Sequence, residues 1–211
     1  MVQELTERSG KLVPVASPSS PRPDPSEELK AVALRLFVET SYAGASLQQI
    51  ADAAGYSKSS VLYHFASKEA LLEEALTPAV VKLDGLFQGS IGRIADAELR
   101  GTFVEDFIDF LLVHGLEAHI IINQGQSLAG IPIVDRANDF LRRLSDSFVN
   151  ELATPEQRIR LGVALAGAAY VVATGVAMPS TDLAPIEEAR AALVAVVAEL
   201  LVPLAAPAVT L

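Results

Sequence analysis

The sequence predicts an all-α fold in two parts: an N-terminal three-helix unit containing a helix-turn-helix, and a larger helical unit behind it. Three observations carry this reading. Apolar residues recur at three- and four-residue spacing in one segment after another. Capping signatures open several of those segments, at Asp24-Pro25-Ser26-Glu27, at Ser46 with Gln49, and at Thr154-Pro155-Glu156-Gln157. A length of 211 residues with 51% hydrophobic content supplies a small domain plus a larger core. The divisions expected are a disordered tail over 1–23, a first domain over 24–75, a helical second domain over 76–205 and a short tail over 206–211.

The first helix follows Asp24, with Pro25 at its first position and Leu29, Val32, Ala33, Leu36 and Phe37 on one face. The second starts at Ser46, whose hydroxyl can serve free backbone N–H groups while Gln49 reaches back. Its inward stripe is Leu47, Ile50, Ala51 and Ala54, and Gly55 is suited to the positive φ of a C-cap. Ser57 then caps a third helix that carries Val61 and Phe65 inward. Helices this short need the first one as a brace.

The opposite face of the third helix has no core to meet. Lys58 and Leu62 lie there four apart, with Ser57, Ser59 and Ser60 around them. A helix inserted in a major groove offers its N-terminal residues to base edges and phosphates. Lysine reaches guanine acceptors, serine serves either base, and leucine can touch a thymine methyl. Tyr63, His64 and Lys68 stand where phosphate contacts fall, and Ser67 opens a fourth helix whose N-terminus favours an anion. The candidate DNA-binding set is therefore Ser46, Ser57, Lys58, Ser59, Ser60, Leu62, Tyr63, His64 and Lys68, on double-stranded DNA.

The array Phe37, Tyr42, Ser46, Ile50-Ala51, Ala54-Gly55, Ser57-Lys58, His64-Phe65 and Ser67-Lys68-Glu69-Ala70-Leu71 resembles the DNA-binding domain of the TetR family of transcriptional regulators. The resemblance covers roughly residues 26 to 75. It implies a homodimeric all-α repressor whose C-terminal domain binds a small effector that releases a two-fold symmetric operator. The chain departs from the family pattern in two places. Ala45 stands where many relatives have threonine, and Leu62 takes a slot usually held by tyrosine, with Tyr63 following it.

Charge opposes nucleic-acid binding in bulk but not locally. The net charge is -10, and acids outnumber bases between Asp24 and Leu76, yet the segment from Ser57 to Phe65 contains no acid. Weak binding to random duplex is expected, because that affinity follows phosphate neutralisation. A dimer would set two recognition helices about 34 to 36 Å apart, one turn of duplex.

From Leu161 to Thr181 there is no charge, a length that could span a membrane. Its many glycines and alanines, ended by Pro179, instead suit close helix crossing, so no membrane partner is expected. This helix and the next, over 155–178 and 185–202, carry more apolar surface than one small domain covers. The resemblance implies that they pair with a twin chain in a four-helix interface.

The expected sensor lies at residues 78–150, between the first domain and these two helices. Phe103, Phe107, Phe110, His114, His119, Asn123 and Phe140 are the candidate effector-binding residues, apolar walls with a few polar groups. Phe148 belongs to the same apolar set, and Gly125, Gly130 and Pro132 mark a break between helices. No catalytic constellation, metal-ligand spacing or cofactor motif occurs, so no catalytic residue, metal or cofactor is assigned. Zero cysteines and the lack of a basic start followed by an apolar run fit a cytoplasmic chain. The competing reading is a dimeric ligand-binding adaptor whose DNA domain no longer binds DNA.

Overall fold

The computed structural model describes residues 24–88, 96–152, 154–177 and 186–202. The two tails expected at 1–23 and 206–211, and the proline expected to end a helix at 179, lie outside the described residues, as does the side chain of Phe148. Among the described residues every regular element is helical. In chain order they are α1 (Pro25–Gly44), α2 (Leu47–Ala54), α3 (Lys58–His64), α4 (Lys68–Phe87), α5 (Ala97–Val113), α6 (Gly115–Gln124), α7 (Pro132–Glu151), α8 (Pro155–Ala177) and α9 (Ile186–Leu201). No helix among these residues is long and apolar enough to cross a membrane.

The capping signatures act as the sequence predicts. Asp24 accepts the amide of Ser26 at 3.0 Å, and Ser46 with Gln49 forms a reciprocal box, Gln49 N–H to Ser46 Oγ at 3.2 Å and Ser46 N–H to Gln49 Oε1 at 2.8 Å. Thr154 and Gln157 repeat the box at the start of α8, both bonds 3.2 Å. Each such cap satisfies donors that the first helical turn leaves without a partner.

Two cores form. The first gathers Leu29, Phe37, Ile50, Val61, Phe65, Leu72 and Leu76, all essentially without solvent contact, so α1, α2, α3 and the first half of α4 are bound into one body. Each such side chain contributes about 1.5 to 3 kcal/mol by leaving water. This core does not stop at residue 75: Ile120 of α6, Leu128, and Ile133, Val134 and Ala137 of α7 belong to it. The second core is built from Phe103, Phe107, Ile108 and Leu111 of α5, Leu161, Ala164, Leu165 and Ala168 of α8, and Val197 and Leu201 of α9. Buried Arg100 donates to the carbonyl of Leu201 at 3.2 Å, closing the end of α9.

α1 is broken near its end. Ser41 sits at φ 66° and ψ 162°, a conformation that side chains rarely adopt, so Tyr42 leaves the helical path. α4 carries Pro78 in its interior, which removes the amide that would have met the Glu74 carbonyl. Neither irregularity interrupts the packing of α1 against α4 or of α4 against α7.

Candidate nucleic-acid interface and effector cleft

α2 and α3 meet through a turn that only a few residues can make. Gly55 takes φ 74°, and its N–H points back to the carbonyls of Ala51 and Asp52. Tyr56 follows and donates its hydroxyl to Glu28 at 2.9 Å, tying the turn to α1. Ser57 then accepts the amide of Ser60 at 3.1 Å and shares a 2.8 Å bond with the hydroxyl of Ser59. The serine expected only as a cap or a DNA contact therefore already has two neighbours.

The two faces of α3 separate cleanly. Val61 and Phe65 are buried in the first core, while Lys58, Ser59, Leu62 and Tyr63 stand in solvent. Leu62 is 45% exposed and Tyr63 86%, values that packing alone does not favour for such side chains. His64 is half-buried, edge-on to Tyr63 with ring centres 5.3 Å apart. α3 itself holds no acid, and the one on α2, Asp52, accepts from Gln48 at 2.7 Å.

Lys68 is placed differently from the others. Its ammonium donates to the carbonyls of Tyr42 at 2.7 Å and Ala45 at 2.8 Å, and lies 4.2 Å from the centre of the Tyr42 ring. That side chain fastens the start of α4 to the end of α1, one residue before the Ser46 cap. The phenol of Tyr42 is itself pushed above its ordinary range, first by burial and then by the Glu69 carboxylate. Ser67, beside Lys68, caps α4 by accepting the Ala70 amide at 3.1 Å.

Residues 29–75 match the family model described as bacterial regulatory proteins of the tetR family. These residues form a TetR-family DNA-binding domain. Solved structures are similar in fold over most of the chain. A TetR transcriptional regulator family member from Streptomyces coelicolor A3, SCO3833, is 23% identical, with 82% of this chain and 88% of that chain covered at a TM-score of 0.61. The ketosteroid transcriptional regulator KstR2 of Mycobacterium tuberculosis is 20% identical, covering 84% and 94% at 0.58. A transcriptional regulator from Rhodococcus sp. Rha1 is 23% identical, covering 83% and 95% at 0.51. At these identities the likeness is one of fold. No curated protein matches the chain in sequence.

Behind the TetR-family domain, the seven residues expected to bind an effector fall into three places. Phe103, Phe107 and Phe140 surround Phe87, with ring centres 5.3, 5.8 and 5.5 Å from it, and make a packed aromatic cluster in the core. His119 is used elsewhere: its Nδ1 lies 3.0 Å from the Ala173 carbonyl of α8. Asn123 donates to the His119 carbonyl at 3.0 Å, one turn away. Phe110 and His114 line a cleft.

That cleft, of about 920 Å³, opens between α4 and α5. α4 contributes Pro78, Val81, Lys82, Gly85 and Leu86; α5 contributes Asp106, Asp109, Phe110 and Val113, with His114 just beyond. Its size is within the range of small-molecule sites. Asp109 is held by Arg190 of α9, and His114 Nδ1 lies 3.1 Å from Glu117. Val81 escaped sequence reasoning because it looks like any helical apolar position. Pro78 was the available signal, a proline inside α4.

α8 and α9 leave an apolar surface uncovered. Ile159, Val163 and Tyr170 are exposed along α8 at 65%, 55% and 56%, and Val196 and Val202 at the α9 end at 56% and 61%. Gly162, Ala166 and Gly167 lie exposed among them. The opposite sides of both helices are in the second core.

Proposed function

We propose that this chain is a ligand-responsive transcriptional regulator of repressor type, without enzymatic activity. It binds a two-fold symmetric operator as a homodimer, and a small molecule in the cleft between α4 and α5 releases it. The observation that carries the reading is α3: a helix locked from behind by Val61 and Phe65, with Lys58, Ser59, Leu62 and Tyr63 facing water and no acid along its length. Ser60, His64 and the caps Ser46 and Ser57 complete the surface that faces the groove. Lys68 contributes by fixing the bend between α1 and α2, and a phosphate would meet the amides at the start of α4 rather than a free ammonium.

The uncovered apolar stripe on α8 and α9 supports the dimer. Packed against its equivalent in a second copy, it forms a four-helix interface and sets the two α3 helices about one duplex turn apart. The effector region is the α4–α5 cleft, with Phe110 and His114 retained from the sequence reading and Val81 and Lys82 added. Residues 24–75 are then the DNA-binding domain and 76–205 the sensor and dimerisation domain, sharing a core across the boundary.

Selection of bound sequences from random duplexes tests the reading. Enrichment of paired, inverted half-sites about one helical turn apart is the expected result, with affinity falling steeply as salt rises. Equal binding to scrambled duplexes at every salt concentration overturns it and leaves the adaptor.

A further inference from the structure

The break at Ser41 leaves the amide of Tyr42 without the Val38 carbonyl that a continuous helix would supply. A side chain from another part of the molecule fills the gap. Gln124, the last residue of α6, accepts the Tyr42 N–H on Oε1 at 2.7 Å and donates Nε2 to the Phe37 carbonyl at 2.8 Å. One carboxamide, 82 residues away in sequence from Tyr42, thus spans both sides of the break. Its two bonds use one donor and one acceptor, a match that an amide makes and neither a carboxylate nor an apolar side chain can.

The contact continues inward. The carbonyl of Tyr42 and that of Ala45 are both taken by Lys68, and Ala45 directly precedes the Ser46 cap of α2. Gln124, Tyr42, Lys68 and Ala45 therefore form one connected path from α6 to the start of the helix-turn-helix. Gln124 lies outside residues 29–75 that match the family model, so nothing in that motif specifies it. It is half-buried at the place where α6 packs on α1.

We infer that Gln124 is a positioning residue for DNA recognition: by holding the broken end of α1 it sets the seat of α2 and α3 and connects the sensor helices to them. It touches no DNA. This rests on the proposed function, but the structural coupling can be read without operator.

The test uses the full chain, with Gln124→Leu removing both bonds and Gln124→Glu keeping the acceptor for Tyr42 while opposing the Phe37 carbonyl. Thermal melting shows that each variant is folded, and Gln124→Glu serves if the leucine variant is not. Amide hydrogen exchange then reports Tyr42 and the segment 46–50. Faster exchange there, with α8 unchanged, is expected in both variants, and larger for leucine. Affinity for the selected operator should fall about tenfold in Gln124→Leu, a loss of roughly one hydrogen bond's worth, with scrambled-duplex binding unchanged. Wild-type exchange rates at 46–50 overturn the inference, and so does operator affinity within twofold of wild type. If the wild-type chain selects no operator, the proposed function fails while the exchange result still decides whether Gln124 holds the motif.

Discussion

Arg190 on α9 grips Asp109 on α5 at two points, Nε to Oδ1 at 2.5 Å and Nη2 to Oδ2 at 2.8 Å. The guanidinium hydrogen bond holds the Asp109 carboxyl below its ordinary range, against a smaller opposing effect of burial. A lowered carboxyl pKa means stability that is present above the unfolded value of 3.8 and lost as pH falls through the folded value. Both side chains are solvent-accessible, so screening keeps the contribution modest. The Asp109→Asn protein should therefore melt slightly below wild type at neutral pH. That gap should close in acid as Asp109 becomes protonated in the fold, and a gap independent of pH would exclude the ion pair as its cause.

Tyr63 and Phe65 offer opposite outcomes two residues apart. Tyr63 is 86% exposed, so Tyr63→Ala should change unfolding free energy by no more than about 0.5 kcal/mol while weakening operator binding severalfold. Phe65 is 1% exposed, and Phe65→Ala should cost about 3 to 5 kcal/mol. Urea unfolding alongside duplex titration separates the two. A Tyr63→Ala protein with full operator affinity removes that ring from the interface.

Ser41 occupies backbone space that costs a non-glycine residue about 1 to 3 kcal/mol. Glycine relieves that cost but gives back about 0.5 to 1 kcal/mol in unfolded-chain entropy. It also loses the weak 3.3 Å bond from Gly44 N–H to Ser41 Oγ. Ser41→Gly should on balance stabilise the chain by up to about 1 kcal/mol. A lower midpoint in urea would show that the serine hydroxyl, rather than the dihedral, dominates there.

The α8–α9 stripe makes a prediction about assembly. Val163, 55% exposed, lies at its centre, and Val163→Glu would place a charge where two apolar faces meet. Sedimentation should show wild type as a dimer and the variant as a folded monomer. Circular dichroism should be unchanged, since the side chain is not in the core. A dimer that survives the substitution moves the interface elsewhere.

Much of this molecule was legible because its local rules agree with its fold. Asp24, Ser46, Ser57, Ser67 and Thr154 each cap the helix that the sequence placed after them, and Gly55 takes the left-handed turn. The division of α3 into Val61 and Phe65 inward, Leu62 and Tyr63 outward, follows from spacing alone. The sensor was less legible because phenylalanine at helical spacing serves a packed cluster and an open cleft equally well. Phe103 and Phe107 went to the first and Phe110 to the second, a choice made by which helices meet. Lys68 and Gln124 were beyond local reasoning altogether. Their partners are main-chain groups freed by a bend at Ser41, and nothing in the residue types around 41 announces that bend.

The contrast between α3 and the rest of the surface also bears on how such a molecule would search a chromosome. With 16 basic residues set against 26 acidic ones, the chain as a whole meets a polyanion with repulsion, whereas α3 offers a stretch free of acid. One-dimensional sliding has little to grip. A regulator built this way would reach its target by repeated collisions from free solution and let go promptly after each mistaken landing. Few copies would then be tied up on irrelevant sequence.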